Sequence, residues 1–474
     1  MTSSPLLPLL RGLPERAWLV GGAVRDELLE RETTDFDLVV DADVRSVARA
    51  LGRAADAHCF ALSEAFGAWR VIARDRSWQI DLTPMLGASL EDDLAQRDLT
   101  INAMARRVHD AQLVDPHGGR ADLEARRLRM VSAQAFRDDP LRVMRLARLA
   151  AQLEFDIDRA TQEQTLKAAP ALTGVAPERV FAELRQIVGG EDPVRGLRLL
   201  EAAGATAVVM PELLALQGMA QSVFHHLDVF DHTLDVLERT VQITRDPGRL
   251  FPEQAVELQA VLAEPLADEL TRGQALRFGA LFHDLAKSST RGVTGEGRVT
   301  FIGHDTAGAD LAVQILSRLR ASERLASHVA ALTRHHLRLG FLVHEMPLSR
   351  SAIYHYLREC QPVEVDVTLL SVADRLATRG RNSEVAIQKH LELAAQILPE
   401  ALRWRSRPPR PPVRGDRLAQ SLGITPGPRL GQLLEELTEA AFTGQVQGEA
   451  DAVAWARERL AVTDPRAEPG RTPR

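Results

Sequence analysis

At 474 residues the chain exceeds one ordinary core and calls for about three or four domains in series. Its richness in Ala, Leu, Arg and Glu, against only 14 Phe, 2 Tyr and 5 Trp, favours helices with at least one smaller sheet. Two cysteines, Cys59 and Cys360, exclude a disulfide framework and a cysteine zinc site. A net charge of −7 argues against indiscriminate polyanion binding, and no run approaches the ~18 apolar residues of a spanning helix. The apolar stretch 6–10 ends at Arg11 and Pro14 without a signal-peptide pattern, so a soluble, cytoplasmic protein with no membrane partner is expected.

In chain order, apolar and alternating runs at residues 18–20, 36–40, 69–72, 78–82 and 112–114 predict short strands, with helical spacing between them as at 44–51. This is an α/β domain ending near residue 135. From Asp138 onward Leu141, Met144, Leu146 and Leu149 recur at helical spacing and strand signals almost vanish. Weakly patterned, proline-containing sequence at 246–271 predicts an insertion or long connection. SRPPRPPVRG, from Ser406, predicts a linker, because proline lacks the helical donor and clashes with the preceding turn. Two arginine clusters, at 126–148 and 403–417, read equally as solvated helix faces or as RNA-phosphate contacts.

WLVGGAVRDELL, from Trp18, sets Gly21 and Gly22 between an apolar strand and a helix. Such glycines let the backbone approach a polyphosphate, the helix start offers unpaired N–H groups, and Arg25 adds a positive charge one turn in. A purely steric tight turn looks the same. TTDFDLVV, from Thr33, puts Asp35 and Asp37 on one face of a strand. Like charges side by side repel, and a divalent cation resolves the conflict. Mg²⁺ takes few protein carboxylates and completes its shell with water and substrate phosphates. Asp81, in WQIDLTP, is either a third ligand from a neighbouring strand or a capping or turn carboxylate. RDLTINAMA gathers Arg97, Asp98 and Asn102 within about one and a half helical turns, groups suited to a triphosphate and a ribose hydroxyl.

A GG turn, DxD and RDxTxNA in this order resemble the class II tRNA nucleotidyltransferases, the family of CCA-adding enzymes and bacterial poly(A) polymerases. The resemblance implies an α/β head of the DNA polymerase β nucleotidyltransferase type followed by all-α neck, HD and tail domains. It implies Asp35 and Asp37 as catalytic Mg²⁺ ligands. It continues into FRDDPLRVMRLARLA, from Phe136, which is similar to the family's nucleotide-selecting helix. By that resemblance Asp139 and Arg142 act as an amino-acid template, with Arg145 also at the nucleotide. Cytosine offers an N4 donor beside N3 and O2 acceptors, matching a carboxylate beside a guanidinium; uracil reverses that polarity. Asp138 stands where the family often has Glu, and Glu30 where it often has Gly. APERVFAELRQIV, from Ala176, is similar to the next neck helix.

Between residues 224 and 379, FHHLDVFDHTLDVL, FHDLAK, FIGHDTAGAD, LTRHHLRL and SVADRLATR follow in order. One buried His is more often a satisfied core residue than a ligand; five ordered segments are harder to dismiss. His232, His283, Asp284 and Asp374 resemble the ligands of the HD superfamily of metal-dependent phosphohydrolases, a set suited to Mn²⁺, Ni²⁺, Co²⁺ or Fe²⁺. His304 and His335 are candidates for a second metal or for substrate phosphate. His225, His226 and His336 are weaker candidates, and Lys287 could offset phosphate charge or pair with a surface acid. VRGDRLAQSLGITPGPRLGQLLEEL, from Val413, resembles the C-terminal helical module of the family's longer members, its GPxxG turn starting a helix.

The expected domains are a nucleotidyltransferase head at 1–135, a helical neck at 136–210, an HD phosphohydrolase-like domain at 211–400, and a basic Pro-rich linker with helical tail at 401–474. The expected function is template-independent addition of cytidines from CTP to the tRNA 3′ end. Full CCA addition with ATP as well is the alternative, followed by poly(A) polymerase and by an HD phosphohydrolase with a degenerate head. CC addition is favoured because full CCA-adding enzymes of the family generally have a flexible segment before RDxTxNA. Here the Asp81 strand reaches Glu91 through only TPMLGAS.

Overall fold

Seven short strands build one mixed sheet in the N-terminal part of the chain: β1 (Ala17–Val20), β2 (Asp35–Val40), β3 (His58–Ser63), β4 (Ala68–Ile72), β5 (Gln79–Pro84), β6 (Ala105–Arg107) and β7 (Leu113–Val114). Their order is β3-β4-β5-β2-β1-β6-β7, with β2 and β5 parallel and the other neighbours antiparallel. The computed structural model describes residues 10, 12–64, 66–221, 227–379 and 383–463, and falls into two units, Met1–Pro211 and Glu212–Arg474. Strands β1, β2, β4 and β5 arise where the apolar runs predict them. β3 and β6 do not: β3 is an edge strand with largely open side chains, so no buried alternate row marks it, and β6 is only Ala-Arg-Arg.

RDLTINA forms a 3₁₀ turn at Thr100–Asn102, not the longer α-helical run expected. Two contacts fix it. Thr100 donates its hydroxyl to the buried Asp122 at 2.7 Å, and Gly119 packs so closely that a Cβ there would lie 2.2 Å from the Thr100 carbonyl oxygen. Helices Arg142–Leu153, Arg159–Ala168, Pro177–Gly189 and Pro193–Ala202 follow. Strand pairing does not stop at residue 135, since Arg127–Leu128 pairs in parallel with Asp156–Ile157.

In the second unit, helix Arg272–Phe282 is buried on every side, with Val229–Arg245, Glu323–His335 and Glu364–Ala377 against it. Its buried Arg272 is compensated by Asp366, both of whose oxygens accept from Nε at 2.8–2.9 Å, and by the Pro362 carbonyl. The expected connection at 246–271 is instead structured, with helix Ala255–Ala263 and a small hairpin of Pro265–Ala267 with Leu270–Thr271. In AVELQAVLA the apolar residues surround the helix, so no amphipathic stripe announces it. Helix Ser383–Ser406 stops where the proline run begins, and the tail helices Gly415–Leu422 and Pro428–Phe442 pack around Leu418, Leu430, Leu433 and Leu437. Among the described residues no helix is long and apolar enough to cross a membrane.

Replacing Gly119 by Ala should force its methyl into the Thr100 backbone and cost about 1–3 kcal/mol. Denaturant unfolding followed by a fluorescence probe in the head measures this; an unchanged midpoint would mean that the turn relaxes freely.

Candidate active site and metal centre

The N-terminal sheet opens onto a cavity of 710 Å³ lined by Gly21, Gly22, Arg25, Asp35, Asp37 and Arg97, with Asp98, Asn102, Arg142 and Arg145 further round. Gly21 has φ +70°, and a Cβ there would stand 3.1 Å from Arg97 Nη1 and 3.4 Å from Asp37 Oδ2. The positive φ favours glycine, and a Cβ would also press on these two side-chain ends. Arg97 is held by Asp93 at 3.2 Å, while its Nε is buried without a hydrogen-bond partner among the described residues, a donor suited to an incoming phosphate.

Arg25 does not reach out as a free cation. It is ion-paired with Asp26 at 2.8 Å and donates to Asn102 Oδ1 at 2.8 Å. Asn102 in turn donates to Asp98, whose other oxygen faces Arg145 at 3.4 Å. Burial alone would raise the Asp98 pKa, but Arg145 and the donors Asn102 and Leu99 outweigh it and hold the carboxyl below its ordinary value. Arg25 is therefore an anchor for Asn102, and the RDxTxNA groups form one connected network along the cavity wall.

Asp35 and Asp37 share the β2 face, as their spacing requires. Desolvation at the sheet surface, then Asp35 and Asp81, push Asp37 up to about 6 against the lowering influence of Arg97 and Arg145. Its oxygens still open to the cavity, so ionisation costs less than in a sealed interior. A crowded carboxylate pair of this kind fits a divalent cation. Two partners escaped sequence reasoning: Gln79 donates to Asp35 at 3.0 Å, and Arg70 takes both oxygens of Asp81 at 2.7 Å. Asp81 thus lies beside Asp37 but does not stand open as a ligand.

Asp139 and Arg142 are joined through the backbone, the Arg142 N–H donating to the Asp139 carbonyl at 3.1 Å, but their side chains turn to other partners. Asp139 accepts from Arg179 at 2.7 Å and from the Leu141 N–H at 3.2 Å, while Arg142 donates to the carbonyls of Ala135 and Gln96. The Arg142 Nε is buried without a hydrogen-bond partner among the described residues. Arg179 comes from the helix Pro177–Gly189, and only the tertiary fold reveals its role.

The second unit gathers His232, His283 and Asp374 in one group and Asp284, His304 and His336 in another, the ligand atoms of each within 4.8 Å of one another. His232 Nε2 is 3.1 Å from Asp374, and Asp284 is 3.2 Å from His283 Nε2 and 3.3 Å from His304 Nε2. The backbone fixes the tautomers. Nδ1 of His283, His304 and His336 faces the carbonyl three residues earlier at 2.6–2.7 Å, and a carbonyl only accepts, so each Nδ1 carries the proton. Their Nε2 atoms therefore converge, those of His304 and His336 only 3.3 Å apart, while at His283 burial is outweighed by the neighbouring Asp284, which holds the imidazole above its ordinary pKa. Burial, then His283, pushes His336 down to about 4, so it is neutral and ready to ligate. That donor set fits a transition metal.

His336, not the expected His335, joins this cluster. The two stand side by side at the end of helix Glu323–His335, where neighbours diverge by about 100°. His335 is absent from both ligand groups, and its Nδ1 is buried without a hydrogen-bond partner among the described residues. Lys287 is 2.6 Å from Asp284 and donates to Gln221 at 2.8 Å, so it is no surface cation. His225 and His226 lie outside the described residues.

The chain matches the Poly A polymerase head domain at residues 17–129, the probable RNA and SrmB-binding site of polymerase A at 154–216, and the HD domain at 229–379. It is 36% identical over 461 residues to the A-adding tRNA nucleotidyltransferase of Deinococcus radiodurans, spanning 95% of this chain and 98% of that relative. The chain belongs to the tRNA nucleotidyltransferase family. It is a nucleotidyltransferase whose head domain is followed along the chain by an HD domain. The CC-adding tRNA nucleotidyltransferase of Thermus thermophilus is 33% identical, over 91% of each chain. The fold is that of the Thermotoga maritima CCA-adding enzyme solved in complex with tRNA, at a TM-score of 0.63 and 18% identity over 97% of this chain and 96% of that one.

For the HD centre, His336→Ala should lose most bound transition metal and His335→Ala should keep it, as measured by elemental analysis after supplementation with Mn²⁺ or Ni²⁺. The reverse ranking would return His336 to a packing role.

Proposed function

We propose that this nucleotidyltransferase adds two cytidines to the tRNA 3′ end and stops. The observation carrying this reading is the connection between β5 and helix Leu90–Ala95. It is short and it is tied down: Leu86 N–H donates to Asp93, the Ala88 and Ser89 N–H groups both donate to Asp92, and Ser89 caps the helix in return. A pocket without a mobile segment stays fitted to one base size, because Asp139 and Arg142 must shift together to meet the edge of adenine. The relatives named CC-adding support this reading. The A-adding relative supports the opposite one.

At the head, Asp35 and Asp37 hold Mg²⁺, which supplies charge neutralisation for the attacking hydroxyl and the leaving pyrophosphate. Arg97 binds the triphosphate, Gly21 and Gly22 allow its close approach, and the network of Arg25, Asn102 and Asp98 orients the ribose. Asp139 and Arg142 offer the acceptor and donor that a cytosine edge requires. At the second centre His232, His283, Asp284, His304, His336 and Asp374 hold transition metal for phosphate-ester hydrolysis, with Lys287 beside the substrate phosphate.

Three tRNA substrates decide the base question, ending at the discriminator base, at C or at CC, each offered CTP and ATP together. Extension by two cytidines with no terminal A is expected; efficient A addition to the CC-ended tRNA would make this an A-adding or CCA-adding enzyme.

The raised Asp37 pKa gives a second check. A carboxyl with a folded pKa of about 6, above the ordinary 3.8, binds more protons folded than unfolded between those values, so stability falls as pH rises through that window. Mg²⁺ offsets the loss. Thermal melts should therefore show a Mg²⁺-induced rise in Tm above pH 6 that shrinks towards pH 5 and is absent from Asp37→Asn. A response equal at both pH values, or retained in Asp37→Asn, would contradict the assignment.

A further inference from the structure

Arg70, Asp81 and Asp37 form one row across three neighbouring strands. Arg70 pairs with Asp81 across β4 and β5, and Asp81 with Asp37 across β5 and β2. Directly paired residues project to the same face, so sheet register alone sets a guanidinium, a carboxylate and a second carboxylate side by side. Arg70 Nε and Nη2 each donate to a separate Asp81 oxygen at 2.7 Å. This planar two-point pair occupies one lone pair on each Asp81 oxygen and neutralises the carboxylate, which weakens its hold on a cation. The pair is partly screened from solvent, at 27% and 15% side-chain exposure, and its net charge is zero.

We propose that Arg70 is a positioning residue that withholds Asp81 from the metal site. The divalent cations of the head are then held by two carboxylates, Asp35 and Asp37, with the third negative charge neutralised within the sheet. Two formal charges hold Mg²⁺ more loosely than three, which suits a metal that arrives with a nucleotide and departs with pyrophosphate. Arg70 also sets the charge beside Asp37, since its guanidinium interacts with Asp81 first and with Asp35 and Asp37 more weakly.

This inference rests on Asp35 and Asp37 as the cation ligands, and its test separates the two claims. Mn²⁺ binding to the nucleotide-free full chain is measured by the electron paramagnetic resonance signal of free Mn²⁺; the share lost in Asp35→Ala defines the head, and no loss there would fail the underlying reading alone. Arg70→Gln should tighten the head's share by roughly fivefold, because a carboxylate is released beside the site. Asp81→Asn should weaken it, by leaving an unpaired guanidinium. The double variant Arg70→Gln/Asp81→Asn, which removes a neutral pair, should return to within about twofold of wild type. If the double variant binds as weakly as Asp81→Asn, Asp81 is a ligand and the proposal is overturned. Weaker binding in Arg70→Gln, with an unchanged melting curve, would overturn it too.

Discussion

Carboxylates crowded on one face of a sheet repel, and the head is arranged around that repulsion. Asp35 and Asp37 on β2 and Asp81 on the adjacent β5 share that face, and each meets the repulsion differently. Asp81 is neutralised by Arg70, Asp35 accepts from Gln79, and Asp37 carries the residual strain as a raised pKa. The GG turn belongs to the same arrangement. A Cβ at Gly21 would crowd both Arg97 and Asp37, so the glycine leaves these two charged side chains room beside the turn. The cavity is left with Asp35 and Asp37 on one side and, on the other, arginines already oriented by their own carboxylate partners.

The HD centre solves the converse problem, which is how to gather several imidazole nitrogens around buried carboxylates. Backbone carbonyls take the Nδ1 protons, burial disfavours imidazolium at His336, and Asp284 remains ionised because His283 and Lys287 outweigh its desolvation. Each histidine lies next to its own helix start or end, where a carbonyl three residues back is within reach. The five separated segments converge because they belong to helices that pack against the fully buried Arg272–Phe282 or at its end.

Much of this was legible in the sequence, and the boundary of legibility is physical. Strands with a buried alternate row announce themselves, as β2 does with Phe36 and Leu38; an open edge strand such as β3 cannot. Motif order marked the head residues, but chemistry at a distance stayed hidden. Nothing local says that Arg25 would turn to Asn102, or that Arg179 would reach Asp139 from 40 residues away. The choice between His335 and His336 was equally out of reach, because adjacent residues at a helix end differ only in which way the last turn points. Alternation along β5 sets Gln79 and Asp81 on one face, a signal that points to Asp35 only when the pairing of β5 with β2 is known.

Both arginine clusters are largely spent within the protein. Arg127 and Arg129 share Asp122, Arg145 and Arg148 share Glu183, and in the linker region Arg403, Arg405, Arg414 and Arg417 pair with Glu400, Glu264, Asp416 and Glu449. Arg137, Arg407 and Arg410 make no ion pair among the described residues. A guanidinium already bound to a carboxylate neutralises few phosphates and so releases few of the counterions condensed on a nucleic acid, the process that makes polyelectrolyte affinity fall steeply with salt. The arginines paired in these two clusters are in that sense less free to displace counterions than their number in the sequence suggests.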